Sequence, residues 1–464
     1  MNLRRTSAGL AAIGLFSFTV SCGKSSSTGS APSPSAAASS GAEAALAASA
    51  SAPPSAEPSP SARAPEAPAA PLNVLLLTVD SLRADMPWTG YARPIAPNLS
   101  KLAERSALYT NAYSASSYTA KSVATFLSGR YPSTLYRDGY FFAKYSAANH
   151  FLAEILSERG VRTIGWHSHL YFGRGKGLEQ GFAVWQLVPG ITFDPETDNY
   201  VTSDKMTALG MELLGSKDNT SGQFFAWAHY MDPHDKYIKH AESPDFGNKN
   251  RDRYDSEVWF ADFWLGKLLG WAETQPWWKN TVVIVSADHG ETFGEHGMYK
   301  HAFEVWEVLT RVPLLISGPG IRAQRIEQRR SHIDLAPTVL DLMGVPVPTD
   351  FQGKSLVPEL RGQAPESREP ILVELTEDSH NPPRRALLSG DYKIIDFGRS
   401  KFQLYDLRSD PGELKDLAKE RPEELARMRK ALEERYRTLP TVEPYGGATL
   451  KEGGSARGPV GPAK

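Results

Sequence analysis

Cysteine is almost absent: Cys22 is the one thiol among 464 residues. No intramolecular disulfide can form, so any export has to be read from a targeting signal rather than from a cystine framework. Charge of one sign is lacking too, since 51 Lys and Arg face 53 Asp and Glu, a net of −2. That balance gives no support for nucleic-acid binding or broad membrane-surface binding. What is present is apolar and aromatic mass, 41% and 10% of the chain, enough for one large core and a small second domain.

The first 22 residues have the layout of an export signal. Arg4 and Arg5 form a basic start, and Leu10 to Val20 is an apolar segment too short to span a bilayer as a helix. Cys22 follows Thr19-Val20-Ser21, which resembles a bacterial lipobox. These features predict a lipoprotein-type signal over residues 1–22, with Cys22 as the lipidation site. Residues 23–71 are almost entirely Ala, Ser, Pro, Gly and scattered Glu. Such a composition cannot bury enough apolar area to offset ordering entropy, so a disordered tether is expected. At about 3.1 Å per residue in a polyproline-like form, it would reach on the order of 150 Å. The expected localisation is exported, at the bacterial cell envelope, with the membrane engaged through the lipid anchor alone.

Three stretches carry chemistry. Leu72 to Val79 is a continuous apolar run rich in β-formers, as expected of a strand buried on both faces of a parallel sheet, and it ends in Asp80. Ligands gather at the carboxyl ends of such strands, so Asp80 either holds a metal or caps the following turn. Thr281 to Ser286 is a second run of this kind and delivers Asp288 and His289, an oxygen and imidazole ligand pair. Between them, Thr119 to Ser128 reads as a helix closed by Gly129 in a left-handed conformation. Thr119 stands at its N-terminus, where unpaired N–H groups and the helix dipole favour an alkoxide or an incoming anion. The residue serves either as a cap or as a nucleophile.

The stretch Thr119-Ala-Lys-Ser-Val-Ala-Thr-Phe-Leu-Ser-Gly-Arg130 resembles the signature CxPSRxxxLTGR of the sulfatase family. Gly129 and Arg130 fix the register, Leu127 and Ser128 fall on the LT positions, Ser122 on the motif serine and Thr119 on the nucleophile. Lys121 stands in place of Pro and Val123 in place of Arg. Thr119 replaces the Cys or Ser that is oxidised to formylglycine, so no formylglycine is expected. Relatives in the wider alkaline-phosphatase-like superfamily use an unmodified, metal-bound Thr on phosphoesters. The segment Ala287-Asp288-His289-Gly290-Glu291 through Gly297 is similar to the family's sDHGexxgehG signature, with Asp288 and His289 on metal ligands and His296 on none. Asp80 matches the first metal ligand, and Ser81 holds the place of a second acid.

Further positions follow from the resemblance alone. His234 matches the histidine of the pHxP segment and implies a proton donor or acceptor, with His229 upstream on the same strand. Lys300 or His301, just before the strand beginning Arg311-Val312-Pro313, implies a group on the ester oxygens and leaving group, with His301 preferred. His167 and His169 lie near the GKWH motif. Lys121, His229, His167 and His169 are therefore candidate substrate-contacting residues. A second metal would need a cluster such as Asp232, His234 and His301. The long helix expected over Arg253 to Thr274 carries an aromatic stripe read as core.

From Arg368 the pattern changes to short strands, followed by a helix from Pro422 to Tyr436. The resemblance covers Leu72 to Tyr436 and implies an α/β fold of the alkaline-phosphatase-like sandwich type with a central, mostly parallel sheet. A catalytic domain over 72–367, a small C-terminal α+β subdomain over 368–442 and a flexible tail over 443–464 are expected. The implied activity is metal-dependent hydrolysis of sulfate or phosphate esters through Thr119, on a sulfated or phosphorylated ester substrate. One divalent ion would be shared by Asp80, Asp288, His289 and Thr119: Ca or Mg for a sulfatase, Zn or Mn for a Thr-type phosphotransferase. The alternatives are a phosphoryl-group transferase acting on cell-envelope molecules and a non-catalytic binder of anionic glycans. One expectation stands apart from the fold: Cys22→Ala should move the protein from the membrane to the soluble fraction, and unchanged fractionation would remove the anchor.

Overall fold

The computed structural model describes residues 71–191 and 201–446. The signal segment, Cys22 and the tether lie outside the described residues, as do 447–464 of the expected tail. Residues 445 and 446 are tied to the body, since Tyr445 N donates to Arg137 O and Gly139 N to Gly446 O. Among the described residues no helix is long and apolar enough to cross a membrane.

A nine-stranded sheet carries the fold. It begins with β1 (Asn73–Val79), β2 (Ala107–Tyr113), β3 (Arg162–His167), β4 (Val184–Leu187), β5 (Phe224–Tyr230) and β6 (Thr281–Ala287). A hairpin of β7 (Thr292–Phe293) and β8 (Tyr299–Lys300) stands off it, and β9 (Arg311–Ser317), β10 (Gln324–Ile326) and β11 (Arg330–Ser331) complete it. The order is β10-β2-β9-β6-β1-β5-β3-β4, with β11 also on β2. Pairing is parallel except at β9, which runs antiparallel to both β2 and β6. In the centre, β1, β5 and β6 are buried at every position. Continuous runs such as Val74 to Leu77 and Val282 to Val285 fit there because both faces of the sheet are covered.

Helices α1 (Pro97–Glu104), α2 (Thr119–Ser128), α3 (Leu152–Glu158), α4 (Ser203–Gly215), α5 (Lys217–Thr220) and α6 (Asn250–Ala272) lie between the strands. The helix α2 is buried throughout and ends at Gly129, whose φ of 63° is left-handed as expected. A Cβ at Gly129 would stand 2.6 Å from the Phe351 ring, so the close approach of that ring also requires glycine. The helix α6 buries Val258, Phe260, Ala261, Leu265, Leu268 and Leu269 as core, with Trp264 only partly buried. It also buries acids that an apolar pattern does not reveal. The Asp262 carboxylate accepts from the backbone N–H groups of Asn98 and Leu99, capping α1 from another element because the local N-cap residue, Ala96, has no side-chain acceptor.

The C-terminal sheet is an antiparallel meander of β12 (Ile371–Leu375), β13 (Arg384–Ser389), β14 (Tyr392–Asp396) and β15 (Phe402–Asp406). Leu372, Leu387, Ile394 and Leu404 pack in one cluster with Met428 and Leu432 of the helix Pro422–Arg437. This is the small α+β subdomain that the change of pattern after Arg368 announces.

Candidate active site

Register places the centre. The strands β1 and β6 pair in parallel with Val79 opposite Ala287, so the next residues, Asp80 and Asp288, emerge side by side. Their carboxylates and His289 each offer one ligand atom, all within 4.8 Å of one another, and all three residues are fully buried. The Thr119 Oγ1, at the start of α2, lies 3.0 Å from His289 Nε2 and 3.4 Å from Asp80 Oδ2. The motif serine explains why α2 sits there. Ser122 Oγ donates to the backbone carbonyl of Asp288 at 2.6 Å, joining the helix to the strand end that carries two of the ligands.

The donor set fits a divalent cation. His289 Nδ1 lies 2.9 Å from the Gly290 carbonyl, which can only accept, so Nδ1 carries the proton and Nε2 offers a lone pair. That lone pair stands 3.2 Å from Asp288 Oδ2, an oxygen with no hydrogen bond of its own. Two buried acceptors at this distance repel unless a positive charge lies between them, and two carboxylates with one imidazole suit a hard or borderline ion. Burial would raise the Asp80 carboxyl, but the neighbouring His234 and the hydrogen bond from His229 outweigh it and hold the group well below the ordinary carboxylate range.

Around these groups stands a layer of supports. His229 Nε2 is 3.2 Å from Asp80 Oδ2, and its Nδ1 is braced by Thr78 Oγ1 at 2.9 Å, which in turn accepts from Trp227 Nε1. His229 is wholly buried, with one ring nitrogen against Asp80 and the other against Thr78. Ser81, in the place of the expected second acid, donates to Asp80 Oδ1 at 2.8 Å. His301 joins the group: its ring lies 4.2 Å from His289 and 5.1 Å from His234, and Nδ1 stands 3.3 Å from both oxygens of Glu291. A carboxylate can only accept, so Nδ1 is protonated and Nε2 is left for other partners. Burial and the neighbouring His289 push His301 below its ordinary value, against the pull of Glu291. Tyr237 Oη donates to Glu291 at 2.8 Å and fixes the carboxylate.

Several expected residues stand elsewhere. Lys121 is not free for substrate: its ammonium is 1% exposed, donates to the Thr376 carbonyl at 2.8 Å and pairs with the buried Asp378. Lys300 pairs with Asp235 at 2.7 Å on a half-exposed side chain, leaving the inner position to His301. His167 is sealed among Phe172 and Trp185, and burial lowers it to about 3, a neutral packing role. His169 is also buried and neutral, with Nδ1 accepting from Tyr171 N and its ring 6.2 Å from His234. Asp232 caps α4 through Thr202 N and Ser203 N, so it is engaged away from a second metal cluster. His296 stacks on Trp306 with ring centroids 3.9 Å apart. The residues missed from sequence are Glu291, Tyr237, Thr78 and Asp378. Glu291 stands within the Asp-His-Gly-Glu run itself, so a signal for it existed; nothing local marks Asp378 as the partner of a lysine 257 residues earlier.

Comparison with known proteins agrees with this geometry. A mostly parallel sheet with the buried start of α2 and two acids at adjacent strand ends is the arrangement of the alkaline-phosphatase-like α/β fold. The Sulfatase family model matches residues 72–345, and the model of the N-sulphoglucosamine sulphohydrolase C-terminal region matches residues 294–440. The chain is 25% identical over 430 residues to a choline-sulfatase of Rhizobium meliloti, covering 75% of this chain and 82% of that protein. It is 34% identical over 151 residues to a Delta 4,5-hexuronate-2-O-sulfatase of Bacteroides thetaiotaomicron, a match spanning 31% of each chain. The fold superposes on the phosphonate monoester hydrolase of Agrobacterium radiobacter with a TM-score of 0.64 at 20% identity, covering 79% of this chain and 96% of that one. The chain belongs to the sulfatase family of sulfuric ester hydrolases.

The Lys121–Asp378 pair makes a direct test of the structural role given to Lys121. Asp378→Ala should leave an unpaired buried ammonium and destabilise the fold by about 3–5 kcal/mol, whereas Lys121→Met combined with Asp378→Leu should recover most of that loss. Denaturant melts of both variants decide it, and an unchanged midpoint for Asp378→Ala would return Lys121 to the list of substrate contacts.

Proposed function

We propose that the protein is a metal-dependent hydrolase of sulfate esters in which Thr119 is the nucleophile, held at an exported, lipid-anchored position by Cys22. One observation carries the reading: Thr119 Oγ1 lies 3.0 Å from the lone-pair nitrogen of His289, at the mouth of the Asp80, Asp288 and His289 triad and at a helix N-terminus. A divalent cation held by those three residues would lower the pKa of the Thr119 hydroxyl and neutralise charge on the ester oxygens.

The residues then divide the work. Thr119 Oγ attacks sulfur after its hydroxyl, acidified at the site, gives its proton to solvent. The bond from sulfur to the leaving oxygen breaks, and that oxygen takes a proton from Nε2 of His301 in its imidazolium form. Glu291 supports that form by accepting from Nδ1. Water next attacks the sulfated Thr119 and gives one proton to His301, acid sulfate leaves, and the Thr119 alkoxide regains its proton from solvent. His234, beside His301, is a second group that can shuttle the proton. Ester and water are consumed, alcohol and acid sulfate are formed, and no oxidant is involved.

Phosphate or phosphonate esters are the second reading, favoured by the unmodified Thr119 and by the phosphonate monoester hydrolase neighbour. Turnover of an aryl sulfate, a phosphate monoester and a phosphodiester, each with several added metals, separates the two. Two outcomes are expected on whichever ester is turned over. Thr119→Ala should cut kcat by several orders of magnitude with metal content unchanged, while Thr119→Ser keeps measurable turnover and no aldehyde-directed reagent labels the wild type. His229→Ala should weaken metal retention by about 10–100-fold by elemental analysis, with the fold intact, because Asp80 loses its support. Near-wild-type turnover by Thr119→Ala would sink the nucleophile, and full activity after exhaustive chelation would sink the metal.

A further inference from the structure

Against the turn that follows β1 lies a phenol that the ester chemistry does not use. Tyr254 stands on α6 and is 1% exposed. Its Oη donates to the Ser81 carbonyl at 2.8 Å and accepts from Arg83 N at 2.9 Å, so one hydroxyl spans the turn. The ring is fixed by packing as well, with centroids 5.0 Å from Phe293 and 5.8 Å from Tyr237, and the Arg251 guanidinium 5.3 Å from the ring centroid. Burial pushes the phenol far above its ordinary pKa, so it keeps the proton that it donates.

The turn held in this way is strained. Ser81 is fully buried with a φ of 56°, in the left-handed region that a residue with a Cβ seldom adopts. A conformation of that kind persists only where its surroundings over-determine it. In it, Ser81 serves both acids of the centre at once: its N–H donates to Asp288 Oδ1 at 3.1 Å and its Oγ to Asp80 Oδ1 at 2.8 Å. A carboxylate with one oxygen on a fixed donor is held in rotation, which also settles where its other oxygen points. For Asp288 that other oxygen is the unbonded Oδ2, 3.2 Å from His289 Nε2. Ser81 Oγ further stands 3.4 Å from His301 Nδ1. The second residue gripped by the phenol, Arg83, extends the tie, since its Nη1 donates to the Glu291 carbonyl at 2.7 Å and to Glu295 at 2.8 Å.

We propose that Tyr254 is a positioning residue for the metal centre, holding Ser81 in its left-handed conformation so that Ser81 sets the orientation of the Asp80 and Asp288 carboxylates. The angle between the N–H and the side chain of Ser81 about the N–Cα bond is fixed by φ. Once the turn relaxes to a right-handed or extended backbone, the two donors no longer meet both acids. Tyr254 acts through Ser81 alone. The role deepens the metal-dependent reading and rests on it.

Titration of the full-length protein with Mn²⁺ after chelation, followed by the electron paramagnetic resonance signal of the free ion, reads this role without turnover. Mn²⁺ accepts oxygen and imidazole ligands. Tyr254→Phe keeps the ring and loses both hydrogen bonds; it should bind Mn²⁺ about 10–100-fold more weakly and change the zero-field splitting of the bound ion. Tyr91→Phe is the control. Tyr91 Oη donates to Asp255 Oδ2 at 2.6 Å, so this variant removes a phenol bond to the next residue of α6 and should keep the wild-type Mn²⁺ affinity. Ser81→Ala, which retains the N–H and loses the hydroxyl, should also weaken binding, and it decides the matter if Tyr254→Phe does not fold. Wild-type affinity in Tyr254→Phe or in Ser81→Ala, or an equal loss in Tyr91→Phe, would overturn the role of Tyr254. Absence of Mn²⁺ uptake by the wild type would overturn the metal-dependent reading itself, and the role of Tyr254 with it.

Discussion

Two acids are forced together by strand pairing, and much of the site answers to that constraint. In the β1–β6 ladder Val79 stands opposite Ala287, which brings Asp80 and Asp288 out at one end of the sheet in a fully buried place. The backbone leaves them no room to part, so their charge has to be met locally. His229 and Ser81 attend to Asp80, while Asp288 Oδ1 accepts from the backbone N–H groups of Ser81 and His289. One oxygen, Asp288 Oδ2, is left over. A sheet that was merely stable would not collect unpaired acceptors at one strand end; a sheet that binds a cation would.

The legible part of this arrangement is the part encoded locally. Strands buried on both faces announce themselves as unbroken apolar runs, so β1, β5 and β6 can be placed from sequence, together with the residues at their ends. The helix α2 is legible because a small-residue start and Gly129 bracket it. Roles that depend on a distant partner are not. Lys121 has the residue type of an ester-oxygen contact and is instead neutralised by Asp378; Lys300 has the right position and is drawn outward by Asp235. The histidines divide the same way. Five of them, His167, His169, His229, His234 and His301, have similar claims from sequence, and only packing reveals that His167 is sealed among aromatic rings while His301 meets a carboxylate.

The α6 helix makes the same point about the fold. Its apolar stripe is real, yet Asp262 and Asp255 on it do different work, the first capping α1 and the second binding Tyr91 and Arg93. Periodicity averages such residues away, because an acid that caps a foreign helix has the same hydropathy as one facing water. The fold class follows from the pattern, while the polar contacts that lock elements in place emerge only when the elements have met.

The buried pair of Lys121 and Asp378 has a temporal side. Chains are made from the N-terminus onward, so the helix bearing Thr119 leaves the ribosome well before the carboxylate that neutralises its lysine. In that interval the ammonium either stays in water, holding the start of α2 away from its final seat, or is buried without a partner at a cost of several kcal/mol. A growing chain therefore carries the lysine of α2 without its countercharge, and the seat of that helix is completed only once Asp378 has been synthesised.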